Sequence, residues 1–126
     1  MVSESDIELW VSTAARAAED KKATDPIVLK VGAIIAITDS FVITSGANAR
    51  QVRTITDEIE KQIKEVGGPA PRRIEGLTDA SWVLMDYGDF IVHVFVQESR
   101  EFYDLERLWG DAPRIEWSTS SRASGE

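Results

Sequence analysis

At 126 residues and without a single cysteine, the chain has the length of one domain, and it excludes disulfide staples, a thiolate nucleophile and any zinc or iron–sulfur site built on cysteine. Its formal net charge of −8 and pI near 4.7 argue against a primary grip on nucleic-acid phosphates, which takes clustered Lys and Arg. The start MVSESDIELW has neither the basic and apolar regions of a signal peptide nor Arg-rich transit character, and no apolar run reaches membrane-span length, so the expectation is a soluble, cytoplasmic protein.

The first helix is placed by its cap. Ser5 followed by Glu8 has capping-box spacing, in which each side chain satisfies a backbone N–H of the other. Ile7, Val11, Ala14 (or Ala15) and Ala18 then recur at helical intervals, giving an apolar face of mostly small side chains that suits packing on a sheet or on a second copy of the chain. The helix should fray over 21–24, because Asp25-Pro26 biases the backbone before it away from helix. A strand over 27–31 follows and Gly32 ends it. The stretch 33–45 reads as a short irregular segment and then a buried strand over 41–44.

The second helix is the clearest element. Gly46 and Asn48 supply a turn and N-cap, Val52, Ile55, Ile59, Ile63 and Val66 form one apolar stripe, and Gly67-Gly68-Pro69 stops it. A stiff basic connector with Pro69, Pro71, Arg72 and Arg73 leads to a short edge strand at 74–75. Strands over 82–85 and 90–96 then flank Asp86-Tyr87-Gly88-Asp89, a turn whose glycine accepts positive φ. In the second of these strands Phe90, Val92, Val94 and Val96 share one face, and Ile91, His93 and Phe95 the other. A third helix over 99–109 is expected to pack through Phe102, Leu105, Leu108 and Trp109. Ile115 and Trp117 have the character to dock, whereas STSSRASGE has too little apolar content to order. The succession predicts an α/β domain over residues 1–111, a mixed β-sheet with packed helices, followed by a partly disordered C-terminal tail, 112–126.

Catalytic signatures are weak. His93 is the sole imidazole and has neither a nucleophile nor an orienting carboxylate near it in sequence, and no phosphate-loop, dinucleotide or nucleophile-elbow motif occurs. Asp86 and Asp89 lie across a turn, not two apart on one strand, so they do not converge on a metal; turn Asp side chains bonding their own backbone is the plainer reading. Ser45-Gly46 ahead of a helix is a faint phosphate-binding signal. The reading is therefore a non-enzyme with no catalytic residues, no metal and no cofactor.

Charge is distributed unevenly. From Glu75 to Glu116 there are ten Asp/Glu against three Arg, a net of −7, while Met1 to Ile74 nets −1. Such a face either aids solubility alone or draws a basic partner.

Taken together, ITDSFVITSGANARQV, EG, WVLMDYGDFIVHVF and ESREFYDLERLW resemble the Iojap family of ribosomal silencing factors, over residues 7 to 111. The resemblance implies a nucleotidyltransferase-like topology without known transferase activity. It also implies binding to the large ribosomal subunit through ribosomal protein fourteen, which blocks joining of the small subunit when nutrients are scarce; organellar relatives assist large-subunit assembly at the same location. On this reading the partner-binding residues are Trp82, Leu84, Asp86, Tyr87, Asp89 and His93, flanked by Glu98, Arg100 and Tyr103. Trp and Tyr bury much area with few rotors and carboxylates pair with basic side chains. Trp82 has a competing reading as core. A homodimer is expected through the Ala-rich first helix and the strand edge near 27–31.

Overall fold

The computed structural model describes residues 2–117, in the order α1 (Glu4–Asp20), β1 (Thr24–Lys30), β2 (Ser40–Gly46), α2 (Ala49–Glu65), β3 (Arg73–Glu75), β4 (Trp82–Asp86), β5 (Phe90–Val96), α3 (Gln97–Tyr103) and α4 (Leu105–Leu108). The strands make one mixed sheet ordered β1-β2-β5-β4-β3, parallel only between β2 and β5. The expected α/β class and mixed sheet are thus present. STSSRASGE, read above as too polar to order, lies outside the described residues.

The cap of α1 sits two residues earlier than Ser5. Ser3 Oγ accepts the Asp6 N–H at 3.1 Å, and Asp6 Oδ2 accepts the Ser3 N–H at 3.2 Å. Both Ser-x-x-acid patterns satisfy the box, and the earlier start adds the Ile7 N–H to Ser3 C=O bond at 3.1 Å. β1 begins at Thr24, three residues ahead of the apolar run, because a bulge between Thr24 and Ile27 takes up Asp25, at φ 41°, and Pro26. Asn48 caps α2 as expected, its Oδ1 accepting the Gln51 N–H at 2.9 Å.

Both long helices lie on one face of the sheet. Val52, Ile55, Ile59 and Ile63 of α2 and Val11, Ala14, Ala15 and Ala18 of α1 are fully buried against Val28, Val42, Val83, Met85, Phe90, Val92 and Val94. Losing any one α2 isoleucine to alanine costs about 2–5 kcal/mol in such a setting. The small side chains of α1 let it approach α2 and the sheet closely, and they are consumed in doing so.

The other face carries a smaller cluster, Ile27, Leu29, Val31, Phe41, Ile43, Phe95, Leu105 and Ala112, with Trp82, Ile91 and Trp109 half-buried beside it. The predicted alternation along β5 is borne out, its even positions facing the helices and its odd positions facing away.

One expectation about the C-terminal part needs correction. The third helix is broken: Asp104 adopts φ 48° and ψ 55°, so α3 ends at Tyr103 and α4 restarts in a new direction. The helical period from Phe102 to Leu108 therefore does not hold, and Phe102 is 80% and Leu108 72% exposed, while only Leu105 is buried and Trp109 half-buried. The segment just after 111 packs, as the character of Ile115 and Trp117 suggested. Lys30 N–H reaches Pro113 C=O at 2.8 Å, Ile115 N–H reaches Val28 C=O at 2.9 Å, and the Trp117 indole N–H reaches Pro26 C=O at 2.9 Å. This strap occupies the outer edge of β1. Neither that edge nor the alanine face of α1 is free for a second copy of the chain, so the expected dimer surfaces serve the single chain instead.

Candidate functional site

Cα pairing places Trp82 opposite Phe95, Leu84 opposite His93 and Asp86 opposite Ile91, so β4 and β5 present all six on the face away from α1 and α2. β3 extends this face to the sheet edge through Arg73, opposite Asp86, and Glu75, opposite Leu84. On the β1–β2 side the face is covered by Leu105, Ala112, Ile35 and Trp109. Over β4 and β3 neither long helix lies on it among the described residues, and Trp82, Leu84, Asp86 and Ile91 remain half-buried.

A run of rings crosses this surface. Trp109 meets Phe41 edge-on at 5.5 Å, Phe41 meets His93 edge-on at 4.8 Å, and His93 lies 6.0 Å from Trp82. Trp82 stacks on Phe95 at 4.9 Å and touches Tyr103 at 4.7 Å, and Tyr103 touches Phe102 at 5.0 Å. Trp82 is thus neither pure core nor free contact: it is half-buried, seated among Phe95, Tyr103 and His93. Gly76 makes the seat possible: it sits at φ 91°, and a Cβ there would collide with the Trp82 carbonyl. A hollow of about 340 Å³ lies between Glu75, Gly76, Trp82 and Leu84.

The carboxylates differ in availability. Asp86 Oδ1 accepts the Gly88 N–H at 2.8 Å and Oδ2 lies 3.6 Å from Arg73 Nε, so this side chain holds the turn as much as it displays charge. Asp89, Glu98 and Glu101 are exposed. Glu101 and Asp104 also border a second hollow, of about 600 Å³, with Phe102, Tyr103, Arg107 and Leu108.

Two sequence candidates fall outside the face. Tyr87 is 4% exposed and turns to the helix side, stacked on Phe90 at 4.5 Å, where burial pushes its hydroxyl pKa up. Arg100 is 5% exposed and spent on the fold: Nε and Nη2 bind Glu106 Oε2 at 3.0 and 2.7 Å, Nη1 binds Thr24 C=O at 2.8 Å and Ser45 Oγ at 3.1 Å, and Nη2 binds Asp25 C=O at 2.9 Å. It clamps the α3–α4 corner to the β1 bulge. His93 belongs to the face but under its surface, 5% exposed, with burial pushing its pKa down to about 4. Its Nδ1 accepts the Trp82 Nε1–H at 3.1 Å.

Phe102 and Leu108 join the surface although their spacing assigned them to the core. The one local signal was Asp104, a residue type that tolerates the left-handed region, and it is too common to locate a break. Chemically the face offers stacking, apolar area and carboxylates. Among the described residues no three His, Asp or Glu side chains converge to hold a metal, and no helix is long and apolar enough to cross a membrane.

Residues 4–126 match the family described as "Ribosomal silencing factor during starvation". The chain is 44% identical over 103 residues to the ribosomal silencing factor RsfS of Halalkalibacterium halodurans, covering 82% of this chain and 87% of that one. It is 31% identical over 106 residues to the mouse protein named mitochondrial assembly of ribosomal large subunit protein 1, covering 82% of this chain and 45% of that one. A crystal structure of a protein from Chromobacterium violaceum superposes with a TM-score of 0.78 at 33% identity, covering 82% and 86% of the two chains. A sequence match over nearly the whole chain and a shared fold agree: the chain belongs to the ribosomal silencing factor family.

Proposed function

We propose that this protein binds the large ribosomal subunit through the sheet face opposite its two long helices and keeps the small subunit from joining, repressing translation under nutrient limitation. The observation that carries the reading is an aromatic and apolar surface, Trp82, Leu84, Ile91 and Tyr103, left uncovered while both long helices crowd the opposite face. Exposed carboxylates stand on the turn before β5, at Asp89, and on the helix that follows it, at Glu98 and Glu101. They repel rRNA phosphates and favour a basic ribosomal protein, the role we assign to ribosomal protein fourteen. The exposed Phe102 and Leu108 extend the contact beyond the residues expected from sequence, and Tyr87 and Arg100 leave it.

The test is co-sedimentation with separated subunits. Wild-type protein should travel with large subunits and lower the yield of joined ribosomes, and Trp82→Ala should do neither while keeping its circular dichroism. Failure to bind large subunits or the isolated ribosomal protein sinks the reading.

A role in large-subunit assembly at the same place is the second reading, favoured by the name of the mouse relative. Cells lacking the protein would then accumulate immature large subunits in rich medium, whereas a silencing role alone leaves maturation intact and raises joined ribosomes in starvation. We infer that any self-association, with the β1 edge and the α1 alanine face already used, takes this same face, so that dimer and ribosome compete. A dimer crosslinked through that face which still binds large subunits would separate the two surfaces.

A further inference from the structure

We propose that His93 is a positioning residue for this face: it makes no contact with the partner and acts by holding the Trp82 indole in its binding orientation. The inference rests on the face being the ribosome-binding surface. His93 lies mid-strand between Val92 and Val94, opposite Leu84 on one side and Ile43 on the other, almost wholly covered. An aliphatic side chain would fill such a position at no polar cost. Imidazole brings two nitrogens. One, Nδ1, accepts the Trp82 Nε1–H at 3.1 Å, which puts the ring's own proton on Nε2. The other, Nε2, is buried without a hydrogen-bond partner among the described residues. A buried N–H left unpaired opposes folding, so what the residue returns must lie in the other nitrogen, in its bond to Trp82.

That bond supplies what stacking does not. Phe95 and Tyr103 define where the indole plane lies, at 4.9 and 4.7 Å, yet two orientations related by a half-turn about χ2 stack in much the same way. Only one aims Nε1–H at His93. An anchor already in a single orientation loses less rotamer freedom on docking, and the gain appears as affinity.

Two substitutions separate positioning from packing. In His93→Asn the amide oxygen can occupy the place of Nδ1 and accept the indole N–H; in His93→Gln the amide falls at the place of Nε2 and leaves the indole unpaired. The readouts are the Trp82 Nε1–H resonance and its solvent exchange in the free protein, the imidazole 15N shifts of wild type, and affinity for purified large subunits. We expect a bonded, slowly exchanging indole proton and near wild-type affinity in His93→Asn. In His93→Gln we expect a freely exchanging proton and a loss of roughly three- to tenfold, the scale of ordering one side chain. Equal affinity of the Asn and Gln variants with wild type, while Trp82→Ala binds poorly, overturns the inference and leaves the docking face standing. Wild-type binding by Trp82→Ala removes the face and the inference with it. Should His93→Gln not fold, the wild-type spectrum still decides, since a proton found on Nδ1 overturns the proposal.

Discussion

The double substitution Phe102→Ser with Leu108→Ser separates contact from core more sharply than any other change. Phe102 is 80% and Leu108 72% exposed, so the fold loses little when they go. Surface changes of this kind shift stability by about 0.5 kcal/mol, whereas the same two positions as core would cost roughly 2–5 kcal/mol each. Binding has the opposite expectation. A phenyl side chain offers on the order of 150 Å² at about 25 cal/mol per Å², an upper bound near 4 kcal/mol, and a leucine about 1.5–3 kcal/mol. Part of that is lost to ordering and incomplete burial, leaving roughly 2–3 kcal/mol for the pair, a weakening of roughly 30- to 150-fold. The assay is a thermal melt followed by near-ultraviolet circular dichroism, paired with titration of large subunits. A melting point lowered by many degrees would return both residues to the core; unchanged affinity would confine the docking surface to β4 and β5.

The other perturbations follow from individual contacts. Asp89→Lys should weaken subunit binding with little loss of stability, because Asp89 is exposed, while Asp86→Lys should also lower the melting point by releasing the Gly88 N–H; equal melting points for the two variants would deny Asp86 its turn role. Gly76→Ala should cost roughly 1–3 kcal/mol through positive φ and the clash with the Trp82 carbonyl, and shift Trp82 with it; a urea midpoint equal to wild type contradicts this. His93 is held neutral with a pKa near 4, against about 6.5 in an unfolded chain. The unfolded state takes up a proton as pH falls between these values, so this group's contribution is complete above pH 6.5 and declines toward pH 4, by about 3 kcal/mol. Urea midpoints at pH 7 and 4.5 should diverge more for wild type than for His93→Asn, and parallel shifts would refute the cause.

The elements legible in the chain were those whose signal is local. The α2 stripe of Val52, Ile55, Ile59 and Ile63 depends only on helical period, the faces of β5 only on alternation, and the Asp86–Asp89 turn only on Gly88 and its φ of 86°. Family resemblance and the acidic C-terminal part could likewise be read directly. Tertiary structure decided everything that depends on what lies across from a residue. Whether Trp82 is core or contact turns on Phe95, Tyr103 and His93, brought to it by pairing of β4 with β5 and by the fold-back of α3. Arg100 looked like a charge for a partner until the β1 bulge and Glu106 enclosed it. The left-handed Asp104 turned Phe102 and Leu108 out to solvent, and the strap at 113–115 closed an edge that looked open. Periodicity reports which face of an element is apolar; only packing determines whether another element covers it.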